Sequence, residues 1–159
     1  MKTKGIFVIA AAMVFSLMSC EKNSPVTPDG PDVPGTEDST STTDGVSGEV
    51  FGVWEAGSVI NVTGHIVVPE GQSLTIEEGV TVIFSDAGVG VNHTAIEFSV
   101  DGNLYCLGTE EAPVLLTVAE ELRTPANTFE GLWGGIVAGA TCEEMLIDHT
   151  VIEYCGGQV

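Results

Sequence analysis

Hydrophobic and polar residues alternate with a period of two along most of the chain after about residue 48. In the stretch SVINVTGHIVV, one face carries Ile60, Val62, Ile66 and Val68, while the other carries mainly polar side chains. Successive side chains of a β-strand point to opposite sides, so this pattern predicts strands with one buried face. The stretches SLTIEEGVTVIF and IEFSVDGNLYCLG alternate in the same way. Residues 48–159 are therefore predicted to form an all-β domain.

Two features qualify this pattern. The stretch TVAEELRTP departs from the alternation and predicts a brief helical turn closed by Pro125.

A short unit recurs before several strands: an aliphatic residue, one or two polar residues and a glycine. The two clearest glycines of these units, Gly79 and Gly102, are 23 residues apart. That spacing is close to one coil of a β-solenoid, although a weaker unit ending at Gly64 makes the period irregular. A β-sandwich of short strands is the alternative.

Three longer motifs resemble the opening coils of right-handed parallel β-helix lipoproteins: VPEGQSLTIEEGVTVIF, VDGNLYCLGTEEAPVLLT and LWGGIVAG followed by IDHTVIEYCGG. The resemblance spans residues 58–157 and implies glycines at corners and aliphatic side chains inside. It specifies a fold and leaves the activity open. The chain stops at YCGGQV without a polar closing unit, and an uncovered coil exposes apolar surface. We therefore expect the β-helix of residues 48–159 to be truncated, with further coils in the intact protein.

The N-terminus reads as an export signal. Lys2 and Lys4 precede an uncharged run over 6–18, which would cover about 20 Å as a helix, less than the roughly 30 Å hydrocarbon core of a bilayer. A cleaved signal peptide over 1–19 is thus favoured over a spanning helix. Leu17-Met18-Ser19-Cys20 resembles the lipobox of bacterial lipoproteins. The resemblance implies fatty acylation of Cys20, and several acyl chains together make a durable membrane anchor.

Residues 20–47 are predicted to be a lipidated, disordered tether. Four of the seven prolines lie between positions 25 and 34, and apolar residues are nearly absent, so little can be buried to offset chain entropy. Glu21, directly after Cys20, resembles the surface-export signal of Bacteroidetes-type lipoproteins, which implies the outer membrane and its cell-surface face. Asp38-Ser39-Thr40 resembles an O-glycosylation sequon of the same group, which makes Ser39 a possible O-glycosylation site.

Charge excludes one class of partner. The chain has 23 acidic and 4 basic residues, for a net charge of −19, and three of the basic residues are Lys2, Lys4 and Lys22. Nucleic-acid affinity is built from Lys and Arg contacts to phosphates, so no nucleic-acid partner is expected.

Residues that carry chemistry are scattered. Cys106 falls on an apolar strand face and is expected to be buried, and a disulfide among the three remaining cysteines is left open. His and Asp residues show neither metal-ligand spacing nor a calcium loop, so no metal and no cofactor are predicted. The residues considered are Cys106, Cys142, Cys155, His65, His93, His149, Asp86, Asp101 and Asp148.

Many parallel β-helices are polysaccharide lyases or hydrolases. Lyases of this kind use an Arg or Lys base, and the folded part offers only Arg123. The paired glutamates, such as Glu77 and Glu78, are neighbours on the chain and would point to opposite faces of a strand, which does not make an acid–base pair. No catalytic residue is therefore predicted, and the chain is not expected to be an enzyme within these residues.

Glycan binding has somewhat more support. Four aromatic residues could present rings to sugars, although packing is the simpler role of each, above all of the tryptophan in the WGGI motif. The favoured hypothesis is a non-enzymatic, surface-tethered β-helix that binds glycans or other envelope or host partners. The alternatives are the N-terminal part of a polysaccharide lyase or hydrolase with catalytic coils beyond residue 159, and a structural spacer. The four aromatic residues are Trp54, Tyr105, Trp133 and Tyr154.

Overall fold

A computed structural model of the chain describes residues 41–85 and 95–157, and eleven β-strands lie within them. Two single 3-10 turns are the helical elements of this part, at Glu120–Leu122 and Pro125–Asn127. The strands are β1 (Thr42–Glu49), β2 (Gly52–Trp54), β3 (Val59–Val68), β4 (Ser73–Ile76), β5 (Thr81–Phe84), β6 (Glu97–Val100), β7 (Asn103–Leu107), β8 (Val114–Val118), β9 (Gly135–Ala138), β10 (Met145–Asp148) and β11 (Thr150–Ile152).

The strands stack as successive coils. In one sheet, β2, β4, β7 and β10 lie side by side, and each pairs in parallel with the equivalent strand of the next coil. All strand pairs among the described residues are parallel, whereas the predicted alternative, a β-sandwich, is built from antiparallel strands. The β-helix prediction is therefore confirmed and the sandwich is wrong.

A second sheet wraps around the other sides of the coils in the order β11-β8-β5-β3-β6-β9. The strand β3 joins its two halves, because residues 59–62 pair with β5 while residues 66–68 pair with β6. Gly64 lies at the bend between these halves, where an added Cβ would stand 3.1 Å from the Cβ of Ser47. The continuous strand predicted from SVINVTGHIVV thus serves two faces of the coil.

The spacing of 23 residues between Gly79 and Gly102 is not the length of one coil. The amide of Gly79 donates to the carbonyl of Ala112, whereas the amide of Gly102 donates to the carbonyl of Val68, so the two glycines lie at different corners. Gly102 is needed for close approach, because an added Cβ would stand 2.2 Å from the carbonyl oxygen of Gln72. The coils also lengthen along the chain, since the loops at the corners grow while the paired strands stay short.

The first strand begins inside the stretch predicted to be tether. Residues Thr42–Glu49 form β1, which runs parallel to β3 and caps its free edge. Backbone hydrogen bonds hold it there, and most of its side chains are exposed, while Val46 packs partly against the core. Such a strand buries little apolar surface and therefore leaves no hydropathy signal. The folded domain starts near residue 42 rather than 48.

The core lies between the sheets, where inward side chains of successive coils stack in register. Cys106 is fully buried among them, as predicted. The residues facing inward on the last coil are less covered, with Ile147 41% exposed and Ile152 38% exposed. The largest fully buried side chains are those of Trp133, Phe84, Phe98, Ile66, Leu74, Ile76, Leu104, Leu116, Val62, Val68, Val80 and Val82.

The predicted signal peptide at 1–19, the tether as far as residue 40, and with them Cys20 and Ser39, lie outside the described residues. Within 41–85 and 95–157, no helix is long and apolar enough to cross a membrane.

Candidate functional site

A groove of about 510 Å³ lies at the bend of β3 and the ends of β5 and β8. Strand register builds it, because Val62 pairs with Phe84 and Phe84 with Val118 on three successive coils. The residues that follow these positions come to lie side by side at the strand spacing of about 4.8 Å. The groove is lined by Asn61, Val62, Thr63, Ile83, Phe84, Ser85, Ala119, Glu121 and Leu122.

The polar groups of the groove are one amide, two hydroxyls and one carboxylate. The amide nitrogen of Asn61 donates a hydrogen bond to the Oδ1 atom of Asp44 on β1, which fixes the side chain at the rim. Thr63 and Glu121 are exposed, and Ser85 is half-buried. These groups can donate and accept several hydrogen bonds from one ligand.

The remaining lining is apolar and rigid. Val62 and Phe84 are completely buried and form the floor, while Ile83 and Leu122 add aliphatic surface. Beneath the floor, the ring of Phe84 stacks on that of Trp133. The floor is therefore part of the core and is held in place before any ligand arrives.

One wall consists of the segment after β8, the stretch predicted to be a single helical turn. It forms two 3-10 turns, and Pro125 begins the second instead of closing the first, because the fixed φ of proline suits the first position of a helix. The Nε atom of Arg123 donates to the carbonyl of Val118 at 2.9 Å, and the amide of Asn127 donates to the carbonyl of Leu122 at 2.9 Å. Arg123 thus fastens the wall to β8, and the side chain of Asn127 ties the second turn to the first.

The four aromatic candidates lie elsewhere. Trp133 is completely buried, and its Nε1 atom donates to the carbonyl of Glu153 at 2.8 Å, so it is a core residue. Tyr105 faces outward on the first sheet and donates to the Oε2 atom of Glu144 at 2.8 Å. That hydrogen bond is the main cause of the raised pKa of Tyr105. Trp54 and Tyr154 are half-buried and pack partly against the core.

The titratable candidates are not brought together. The Nδ1 atom of His65 accepts a hydrogen bond from the amide of Glu97 at 3.0 Å, and His149 pairs with the neighbouring Asp148 at 2.8 Å. Asp101 lies at a different corner, after β6. In the described part of the chain, no group of three or more His, Cys, Asp or Glu side chains is placed to hold a metal ion. Asp86 and His93 lie outside the described residues.

The three cysteines of the domain are free thiols. Cys106 is buried, and desolvation raises the pKa of its thiol to about 11, which makes it unreactive at neutral pH. Cys142 is half-buried and Cys155 is exposed.

Sequence reasoning missed the groove. Its lining comes from three segments that are far apart in the chain, and the groove exists only because the strand register aligns them. Each lining residue is unremarkable by itself, since Asn, Thr and Ser are common on outward strand positions. The one signal available was the non-alternating stretch after β8, which marked a loop that leaves the strand pattern.

A family model described as a pectate-lyase-like beta helix domain matches residues 46–145. No curated protein and no solved structure matches the chain. The match covers well over half of the 159 residues and includes β3 to β9, the strands that build the groove. The chain belongs to the family of pectate-lyase-like β-helix domains.

Proposed function

We propose that this chain is a lipid-anchored envelope protein whose β-helix binds polysaccharide in the groove between β3, β5 and the segment after β8, without cleaving it. The observation that carries the proposal is the composition of the groove in a domain of this family. Hydroxyl, amide and carboxylate groups stand beside aliphatic surface, and a sugar presents the matching pair of surfaces, hydroxyls around its edge and C–H groups on its faces. A cavity of about 510 Å³ is in the size range of ligand sites.

The groove suits binding more than catalysis. Its one carboxylate belongs to Glu121, and hydrolysis of a glycosidic bond ordinarily needs two carboxyl groups that flank the bond. The rigid floor and the fastened wall favour binding, because a preorganised site loses little freedom when the ligand is bound.

A lyase is the second candidate, and one observation favours it. Arg123 follows Glu121 and Leu122 of the groove wall, and an arginine base is typical of polysaccharide lyases with this fold. A lyase would abstract the proton beside a uronate carboxylate and break the bond to the leaving sugar oxygen, which takes up a proton, so that a carbon–carbon double bond forms in the product. This candidate predicts unsaturated uronate products, detectable by their ultraviolet absorbance, and their loss in an Arg123→Ala chain.

The binding proposal is tested with the full-length chain in detergent, titrated with soluble polysaccharides after a glycan array has selected them. We expect the Thr63→Ala, Glu121→Ala double variant to bind at least about tenfold more weakly, because each lost hydrogen bond contributes roughly 0.5–1.5 kcal/mol. The matched control, Ser73→Ala with Glu78→Ala, removes an exposed hydroxyl and an exposed carboxylate away from the groove and should bind like the parent chain. Equal loss in both double variants, or no binding by the parent chain, would contradict the proposal.

A further inference from the structure

We propose that the groove selects uncharged polysaccharides and rejects polyuronates, the acidic polymers suggested by the family's name. This inference rests on the proposed function and adds the class of ligand. It follows from the charges around the groove.

The charges that surround the groove are almost all negative. Glu121 belongs to its lining, Asp44 holds the amide of Asn61 at the rim, and Glu120 begins the same 3-10 turn as Glu121. Over the stretches 41–85 and 95–157, Arg123 is the only lysine or arginine. A polyuronate carries a carboxylate on every sugar, so each sugar that enters the groove brings a negative charge towards others of the same sign. Like charges that face each other across an interface are unfavourable, and they therefore help to exclude a wrong partner.

Arg123 is poorly placed to offset this repulsion. It is half-buried, it is not among the residues that line the groove, and its Nε atom already donates to the carbonyl of Val118. Strong recognition of a carboxylate uses two parallel N–H groups of one guanidinium edge. The edge that contains Nε is committed to the backbone, which leaves only the edge formed by the two terminal Nη groups. Binding a uronate through the edge that contains Nε would release the wall of the groove from β8.

The same groove suits a neutral sugar. The carboxylate of Glu121 has two acceptor oxygens, which can receive hydrogen bonds from two neighbouring hydroxyl groups of one sugar. The amide of Asn61 and the hydroxyl of Thr63 provide further polar contacts, and Ile83 and Leu122 offer apolar surface to the C–H face of the ring. The carboxylate of Glu121 therefore accepts hydrogen bonds from neutral sugars and repels acidic ones.

The test compares neutral oligosaccharides, such as gluco- and xylo-oligosaccharides, with oligogalacturonides of matched length, bound to the full-length chain in detergent. Titrations are made at ionic strengths of about 0.01 M and about 1 M, where the Debye length is about 30 Å and about 3 Å. We expect at least one neutral series to bind with nearly the same affinity at both. Oligogalacturonides should bind at least about tenfold more weakly at low salt, with a gap that narrows at high salt as the repulsion is screened.

A charge-removing variant identifies the residue responsible. Glu121→Gln keeps the shape of the side chain and one acceptor oxygen, so the affinity for oligogalacturonides at low salt should rise about three- to tenfold while that for the neutral series changes by less. Glu78→Gln is the matched control and should change neither, because Glu78 lies at the corner before β5, at the other end of that strand from the groove.

Three outcomes would overturn the inference. Oligogalacturonides that bind as tightly as the neutral series at low salt would overturn it while leaving polysaccharide binding intact. Tighter binding of oligogalacturonides after calcium is added would do the same, because it would show that a metal ion bridges the two sets of carboxylates. If neither series binds at either ionic strength, the proposed function fails and this inference fails with it.

Discussion

The ring of Phe84 lies flat on the ring of Trp133, with 3.9 Å between their centroids and 2° between their planes. Phe84 ends β5 and forms the floor of the groove, whereas Trp133 precedes β9 almost 50 residues later. Trp133 also pairs with Cys155 through a β-bridge and donates its indole N–H to the carbonyl of Glu153. One tryptophan thus joins the groove floor to the last coil.

The stack predicts a large loss of stability on truncation. Trp133→Ala removes a completely buried ring and leaves a cavity beneath the groove, so we expect the free energy of unfolding to fall by about 3–5 kcal/mol, measured by urea denaturation. Phe129→Ala is the control, because Phe129 is 95% exposed and its truncation should change stability by less than about 0.5 kcal/mol. Similar values for the two variants would contradict the burial of Trp133.

The corner glycines provide a second prediction, because two of them differ in the space around the Cα atom. An added Cβ at Gly102 would stand 2.2 Å from the carbonyl oxygen of Gln72, whereas Gly71 has open space but a φ of +74°. Gly71→Ala should cost about 1 kcal/mol of backbone strain. Gly102→Ala should cost clearly more, since the backbone of a neighbouring coil must move.

Thermal unfolding of the two glycine variants provides the measurement. We expect the midpoint of Gly71→Ala to remain within several degrees of that of the parent chain. Gly102→Ala should unfold at a much lower temperature or fail to fold. Equal midpoints would show that the corner around Gly102 is looser than its contacts indicate.

Much of the fold could be predicted because it is encoded locally. Ile76 pairs with Cys106, and Ile66 with Phe98, on neighbouring coils. These inward positions are apolar because they face the core. Strand β1 could not be predicted in this way, because its polar residues are held to β3 by backbone hydrogen bonds, which any side chain permits. The number of residues in each coil could not be predicted either, because loops of different size separate strands that pair in register.

The groove could not be predicted either, because it depends on strand register and on the path of a loop. Asn61 and Ile83 are neighbours only through strand register, and Glu121 reaches them only because the segment after β8 folds back to the end of that strand. Packing was the simpler expectation for the four aromatic residues, and Trp133 fits it. Large rings stabilise a narrow β-helix most when they are buried, and Trp133 is in the core.

The proposed lipid anchor is tested at Cys20. Cells expressing the chain are labelled with a palmitate analogue, and the Cys20→Ser chain should lose at least about nine-tenths of the label and leave the membrane fraction, because the proposal places every acyl chain on this one site. Cys155→Ser removes an exposed thiol from the folded domain and should keep the label. Equal labelling of the parent and Cys20→Ser chains, or equal recovery in membranes, would overturn the anchor and the envelope location inferred from it.

The buried thiol of Cys106 makes stability depend on alkaline pH. Burial raises its pKa from the ordinary value of 9.0 to about 11, so the unfolded chain releases this proton at lower pH than the folded chain. The stabilising contribution is therefore complete below about pH 9 and is lost as pH rises through about 11, with a total of roughly 2–3 kcal/mol. In a Cys106→Ala chain this contribution is absent. The raised pKa of Tyr105 is shared by both chains and cancels in the comparison.

The measurement is the free energy of unfolding by urea at several pH values between 8 and 11, under reducing conditions, for the parent and Cys106→Ala chains. We expect the free energy of unfolding to fall faster with rising pH in the parent chain than in the Cys106→Ala chain. Only the parent has the Cys106 thiol, whose deprotonation stabilises the unfolded state. A thiol reagent at neutral pH gives an independent reading: Cys155 should react at once, and Cys106 only at the rate of unfolding. Parallel pH profiles together with rapid labelling of Cys106 would mean that water reaches the interior of the coils.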